Sequence, residues 1–108
     1  MIYLASTSPR RKFLLRQHGI TFKMLNPNYN ESNDSNLSPA QLVKKHALEK
    51  VKSCVKFVKN GVLLSADTIV FLKQKVIGKP KSRKDAVQIL RKLQGCWHRV
   101  YTGVALIQ

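Results

Sequence analysis

At 108 residues and 44% hydrophobic content, the chain has room for one domain and enough apolar material for a core, with the modest stability margin of a small fold. Twenty Lys and Arg against five Asp and Glu give a formal charge of +15. That charge attracts polyanions and makes a nucleic-acid binder the first rival to any enzyme.

The apolar run at the N-terminus stops at Ser6, far short of a signal-peptide core or a membrane span. Cys54 and Cys96 fit a reducing compartment, so a cytoplasmic location away from membranes is expected. Two Cys and three scattered His make no zinc-site spacing. The basic residues are spread along the whole chain. The aromatics are few, and the sequence forms no paired stacking platform, which weighs against single-strand binding.

The first element is a short strand over Ile2 to Ala5. Ser6-Thr7-Ser8 then turns into a helix, with Ser8 as N-cap and Pro9 at the first helical position. Phe13, Leu14 and His18 form its amphipathic pattern, and Gly19 ends it. The helix N-terminus and its hydroxyls favour an anion. Arg10 and Arg11 oppose the helix dipole there unless a ligand such as phosphate compensates them; the plain alternative is a capped helix with a solvated basic turn.

Ile20 to Leu25 alternates as a second strand, and Asn26 to Leu37 is a polar loop. Ser38-Pro39-Ala40-Gln41 opens a helix with a capping box. Its apolar face is Val43, Ala47, Val51, Cys54, Val55 and Val58, and it stops at Asn60-Gly61. Val62 to Ala66 leads through Asp67-Thr68 into Ile69 to Leu72, too continuous for a half-exposed strand and therefore a central one. Lys73-Gln74-Lys75 turns the chain into Val76-Ile77, a hairpin. Ser82 to Asp85 opens a third helix, again with a capping box, whose face is Ala86, Ile89, Leu90 and Leu93; Gly95 closes it. Trp97 to Ile107 is a last strand region in which Thr102-Gly103 marks a bulge. Alternating strands and helices indicate an α/β domain.

With five acids, elimination is informative. Asp85 is used as a cap, Glu49 pairs with Lys45 one turn away, and Asp34 sits in a polar loop. Asp67 interrupts an apolar strand, where a bare carboxylate is costly; it requires a metal ion, a Lys or Arg, or a substrate-linked water, unless it is a structural ion pair or a bulge residue. Glu31 is ambiguous on chemistry alone. Lys79 is held on a stiff Gly-Lys-Pro turn, and Lys50 reads as a solvated helix residue.

Taken together, several stretches resemble the Maf family, the septum-formation-type nucleoside triphosphate pyrophosphatases. They are Leu4 to Arg11, Glu31, Ala47 to Lys50, Ala66 to Val70, Gly78-Lys79-Pro80, the Ala86–Gly95 helix, and His98 to Gly103. The resemblance implies a twisted mixed β-sheet flanked by helices, of the kind shared with inosine triphosphatases. It implies cleavage of a nucleoside triphosphate between its α and β phosphates, and a divalent metal, Mg2+ or Mn2+. By position, Asp67 matches the family's catalytic acid and Glu31 and Lys50 its supporting site residues, with Asp67 and Glu31 as the metal side. Ser6, Arg10, Arg11 and Lys79 match triphosphate contacts, and Thr68 lines the same cleft. Arg10-Arg11 and Lys79-Pro80 fit the dTTP/UTP type. The resemblance covers about the first half of the family's domain. Residues 1–108 are therefore expected to be its N-terminal part, with a separate C-terminal half or self-association as the implied partner. An inactive nucleotide-binding remnant and a basic nucleic-acid-binding protein are the alternatives.

Overall fold

The computed structural model describes residues 1–29, 36–73, 75–77 and 81–108. The chain runs β1 (Ile2–Ala5), α1 (Pro9–Gln17), β2 (Phe22–Leu25), α2 (Pro39–Cys54), a single 3-10 turn (Val55–Phe57), β3 (Val62–Leu72), β4 (Lys75–Ile77), α3 (Arg83–Leu93) and β5 (Arg99–Ile107). The sheet is mixed, as expected for an α/β domain. β1 pairs in parallel with β2 and β3, while β4 and β5 run antiparallel to β3.

β3 is the axis of the sheet. β5 follows one of its edges in unbroken register from Leu63↔Ile107 to Phe71↔Arg99. On the other edge, β1 pairs with Val62–Leu64 and β4 with Val70–Leu72. Among the described residues, no strand pairs with Ser65–Ile69 on that edge, so the sheet opens a gap beside its own centre.

The two crossovers run in opposite directions across β1. If both have the usual right hand, their helices fall on opposite faces of the sheet, and that is the arrangement found. The core lies on one face, under α2. Ala5, Val51, Cys54 and Leu63 form one cluster, and Leu42, Val43 and Ile69 the other. On the opposite face α1 flanks Leu4, Leu64 and Ala66 across an open groove.

β3 is central in pairing, but its burial alternates. Leu63, Ser65, Asp67 and Ile69 are buried under α2, while Leu64 and Ala66 are half-buried and Thr68 is exposed. The continuous apolar run therefore reflects a strand covered fully on one face and partly on the other.

Local sequence determines most element ends. The Ser8 and Ser38 caps form as expected, the latter with its full capping box. At α3, the Ser82 hydroxyl accepts from the Asp85 N–H. The Asp85 carboxylate, however, accepts from the Lys81 N–H at 2.9 Å instead of closing a box on Ser82. α2 ends at Cys54, so Val55 falls in the following turn and is 44% exposed rather than part of the apolar face. Glu49 pairs with Lys52 at 3.9 Å instead of Lys45. The amphipathic face expected of α1 is not buried: Phe13 and Leu14 stand exposed.

Gly103 is not in a bulge. It registers one-to-one with Asp67, and its lack of a side chain serves the helix above it: a Cβ there would lie 2.6 Å from the Val43 carbonyl.

Candidate active site

At the carboxyl end of β1 the chain folds over Ser6. The Ser6 hydroxyl is buried and accepts from the Ser8 N–H at 3.0 Å and from Arg11 Nη1 at 3.4 Å. The Ser8 hydroxyl accepts from the Arg11 N–H at 3.4 Å. Ser6 therefore organises the turn from inside. Its N–H also donates to the Leu25 carbonyl at 3.1 Å, which fastens the turn to β2. Arg11 is half-buried and bent back on this turn, whereas Arg10 is exposed.

Both arginines face a groove of about 930 Å3 between α1 and the open face of the sheet. Thr68 lines the same groove, and its hydroxyl lies 3.0 Å from that of Thr102 on β5. The groove has a cationic, hydroxyl-rich end and an apolar floor of Leu64, Ala66 and Val104.

Asp67 lies on the other face of β3. Its Oδ1 accepts from Lys50 Nζ at 3.1 Å, and both residues are buried, at 4% and 8% exposure. A carboxylate and an ammonium are tolerated at such depth only together. Three features draw α2 close enough for Lys50 to reach. Gly103 admits the Val43 backbone, Ala47 is fully buried, and the Ser65 hydroxyl donates to the Ala47 carbonyl.

The segment after β2 is also fastened to α2. The Asn28 N–H donates to the Ser53 hydroxyl at 3.2 Å, and that hydroxyl donates to the Lys50 carbonyl at 2.7 Å. Tyr29 Oη lies 2.8 Å from Nδ1 of His46, one turn before Lys50. His46 is 1% exposed, and its Nε2 makes no hydrogen bond among the described residues.

The structure thus places six of the eight expected site residues in two groups, back to back across the gap edge of β3. Lys50 and Asp67 form one; Ser6, Arg10, Arg11 and Thr68 form the other. Ligands of open α/β sheets commonly bind beyond the carboxyl ends of parallel strands, where the chain direction switches. The end of β1, with its turn at Ser6, is such a place. Glu31 and Lys79 lie outside the described residues, as do Asp34 and the Gly-Lys-Pro turn.

The Lys50–Asp67 pair answers the question that Asp67 posed, with a lysine as partner. Lys50 itself is not solvated. Its signal was in the helical spacing: it follows Ala47 by three residues and precedes Cys54 by four, inside the buried stripe. The same spacing from Val43 marks His46, which sequence reasoning passed over.

Among the described residues, no group of three or more His, Cys, Asp or Glu comes together to hold a metal, and no helix is long and apolar enough to cross a membrane. Asp67 is the one described carboxylate at this site; Glu49 and Asp85 are engaged elsewhere.

The family model for Maf-like protein matches residues 1–108. A dTTP/UTP pyrophosphatase of Dictyoglomus turgidum is 44% identical over 108 residues, which cover 99% of this chain and 56% of that protein. Proteins of the same name from Pelotomaculum thermopropionicum and Acetivibrio thermocellus are 42% and 43% identical, each with 98% of this chain and 56% of the relative covered. The chain therefore spans about half the length of the curated relatives that it matches. Among solved structures, a nucleoside-triphosphatase, or dITP/XTP pyrophosphatase, of Mycobacterium abscessus aligns over 97% of this chain and 70% of its own at 14% identity, with a TM-score of 0.40. The match of the family model over the whole chain, with relatives above 40% identity, shows that this protein belongs to the Maf-like family.

Proposed function

We propose that residues 1–108 are the N-terminal part of a single Maf-type domain and carry the acidic and triphosphate-binding side of a nucleoside triphosphate pyrophosphatase. The substrates are dTTP and UTP, and the products are the monophosphate and pyrophosphate. The observation that carries this is that the buried Lys50–Asp67 pair and the cationic Ser6–Arg11 turn both flank the Ser65–Ile69 edge of β3, which no described strand covers. The names of the relatives above 40% identity support the substrate class.

Cleavage at the α-phosphorus needs a positioned water and relief of charge on the pyrophosphate leaving group. Asp67 orients or deprotonates the water, and Lys50, 3.1 Å away, fixes that carboxylate in direction. Arg10 and Arg11 neutralise the leaving group, and Thr68 offers a hydroxyl at the groove. Glu31 supports the acidic side and Lys79 the triphosphate. A Mg2+-like ion takes one or two carboxylates and completes its shell with substrate phosphates and waters, so Asp67 with the triphosphate oxygens fits such an ion. When bound, the metal would supply further charge neutralisation. A separate polypeptide supplying the rest of the domain, or a second copy of this chain, would close the groove.

Titration of the chain with dTTP tests the proposal. Weak, saturable binding is expected, and Arg10→Ala and Lys79→Ala should each weaken it by about 1.5–3 kcal/mol, the value of a charged hydrogen bond. If both variants leave triphosphate affinity unchanged, these residues do not hold the triphosphate.

A further inference from the structure

A second concave site lies at the hairpin end of the sheet, where none of the six described site residues falls. Phe71 at the end of β3, Lys73 in the turn, and Trp97, His98, Arg99 and Tyr101 at the start of β5 line one hollow of about 490 Å3. The sequence hides this grouping because Phe71 and Tyr101 are thirty residues apart in the chain. The β3–β5 register closes that distance by pairing Phe71 with Arg99 and Ile69 with Tyr101. The register thus brings to one hollow aromatics that the sequence keeps apart.

Its composition is specific. The Phe71 and Tyr101 rings meet edge-on, with centroids 6.3 Å apart and planes at 82°. That contact leaves them half-buried and fixed. Trp97 beside them is 98% exposed, so almost its whole ring is presented to solvent. A single exposed apolar residue is ordinary; one set beside two further aromatics and ringed by cations is a patch. Lys73, His98 and Arg99 are all exposed, and among the described residues no acidic residue lines the hollow. Lys73 adopts a left-handed backbone, φ 48°, which marks the hairpin turn that brings it there.

Flat rings beside exposed cations, on a chain of net charge +15, match a ligand that offers unstacked bases and phosphates together. We propose that this hollow binds single-stranded nucleic acid, with a base stacked on Trp97 and neighbouring phosphates held by Arg99 and Lys73. A duplex conceals its base faces and an acidic peptide has none, so neither would use the tryptophan. This site is independent of the pyrophosphatase proposal: Asp67 and Lys50 take no part in it.

Trp97 is the only tryptophan in the chain, so its fluorescence reports on this site alone. The experiment titrates the protein with an oligothymidylate of about ten nucleotides, within the range of small single-strand sites. Tryptophan emission is followed, together with the anisotropy of a labelled oligonucleotide. Saturable quenching is expected. Trp97→Ala should weaken binding about ten-fold, Trp97→Phe should retain most of it, and Arg99→Ala should lower the slope of log affinity against log salt by about one. Trp97 is too exposed for these changes to disturb folding.

Two results would overturn the proposal. One is an oligonucleotide that binds without quenching and equally well to Trp97→Ala, which is non-specific attraction to a cationic protein. The other is quenching by dTTP at the same concentration of nucleotide, which makes the hollow a mononucleotide subsite.

Discussion

Lys50 and Asp67 meet at 3.1 Å with little solvent around either. Removing one partner of such a pair leaves the other charge buried without it, typically at a cost of about 3–5 kcal/mol. Lys50→Met and Asp67→Asn should each lower the denaturation midpoint substantially. The double variant should lose much less than their sum, because it buries neither charge. Simple additivity in chemical denaturation would mean that the two side chains do not act as a pair. Tyr29→Phe takes the partner from Nδ1 of His46, a ring whose Nε2 already lacks one, and should cost about 1 kcal/mol or more. An unchanged midpoint would show that the bond does not form in solution. Asp67 was legible in the sequence because a carboxylate in an apolar strand is an anomaly. Lys50 and His46 were not, since a long or amphipathic side chain on a helix is ordinary unless its position in the buried stripe is checked.

Among the elements, α2 and β3 carry the site, and their separation is set at Gly103. A Cβ at that position meets backbone, which cannot rotate aside. Gly103→Ala should push α2 outward, cost about 1–3 kcal/mol, and draw Lys50 away from Asp67. Thermal denaturation checks the first effect, and an unaltered midpoint would mean that helix and sheet have slack. Strand and helix identities were legible throughout, from caps, glycines and apolar spacing. The reason for Gly103 was not. A glycine in a strand signals a bulge or a close approach, and only the packed helix decides between them. The hairpin-end aromatic cluster was hidden for a related reason: strand register, not sequence proximity, assembles it.

Over the whole molecule, the side of the sheet away from α2 carries α1 across an open groove, and among the described residues its β5 part is left exposed. Val100, Val104 and Leu106 of β5 are each about 60% exposed, and Val100 to Gln108 contains no charged residue. Native edge strands usually carry a charge or a proline against unwanted pairing. The chain spans 56% of the Dictyoglomus turgidum relative, and under the function proposed above the remainder of the domain would pack on the open face. Alone, the chain should be hard to keep soluble, since its +15 charge opposes association but also weakens the compact state. Val104→Lys should raise the monomer fraction in sedimentation while leaving stability within about 0.5 kcal/mol. If it changes association not at all, contacts between copies do not use this face.

The groove beside Arg10, Arg11 and Thr68 lacks a wall on that open side, so water is poorly excluded and charge stabilisation is weak. Turnover by the 108-residue chain should therefore be far below that of a complete relative. The most direct test joins this chain to the part of the Dictyoglomus turgidum relative that lies outside the matched region, and measures pyrophosphate release from dTTP with and without Asp67→Asn. The joined parent should yield the monophosphate and pyrophosphate, and the asparagine variant should be slower by about 10²–10⁴-fold, the contribution of a positioned acid–base group. Equal turnover by the two proteins would contradict the assignment of Asp67, and with it the site built around Lys50.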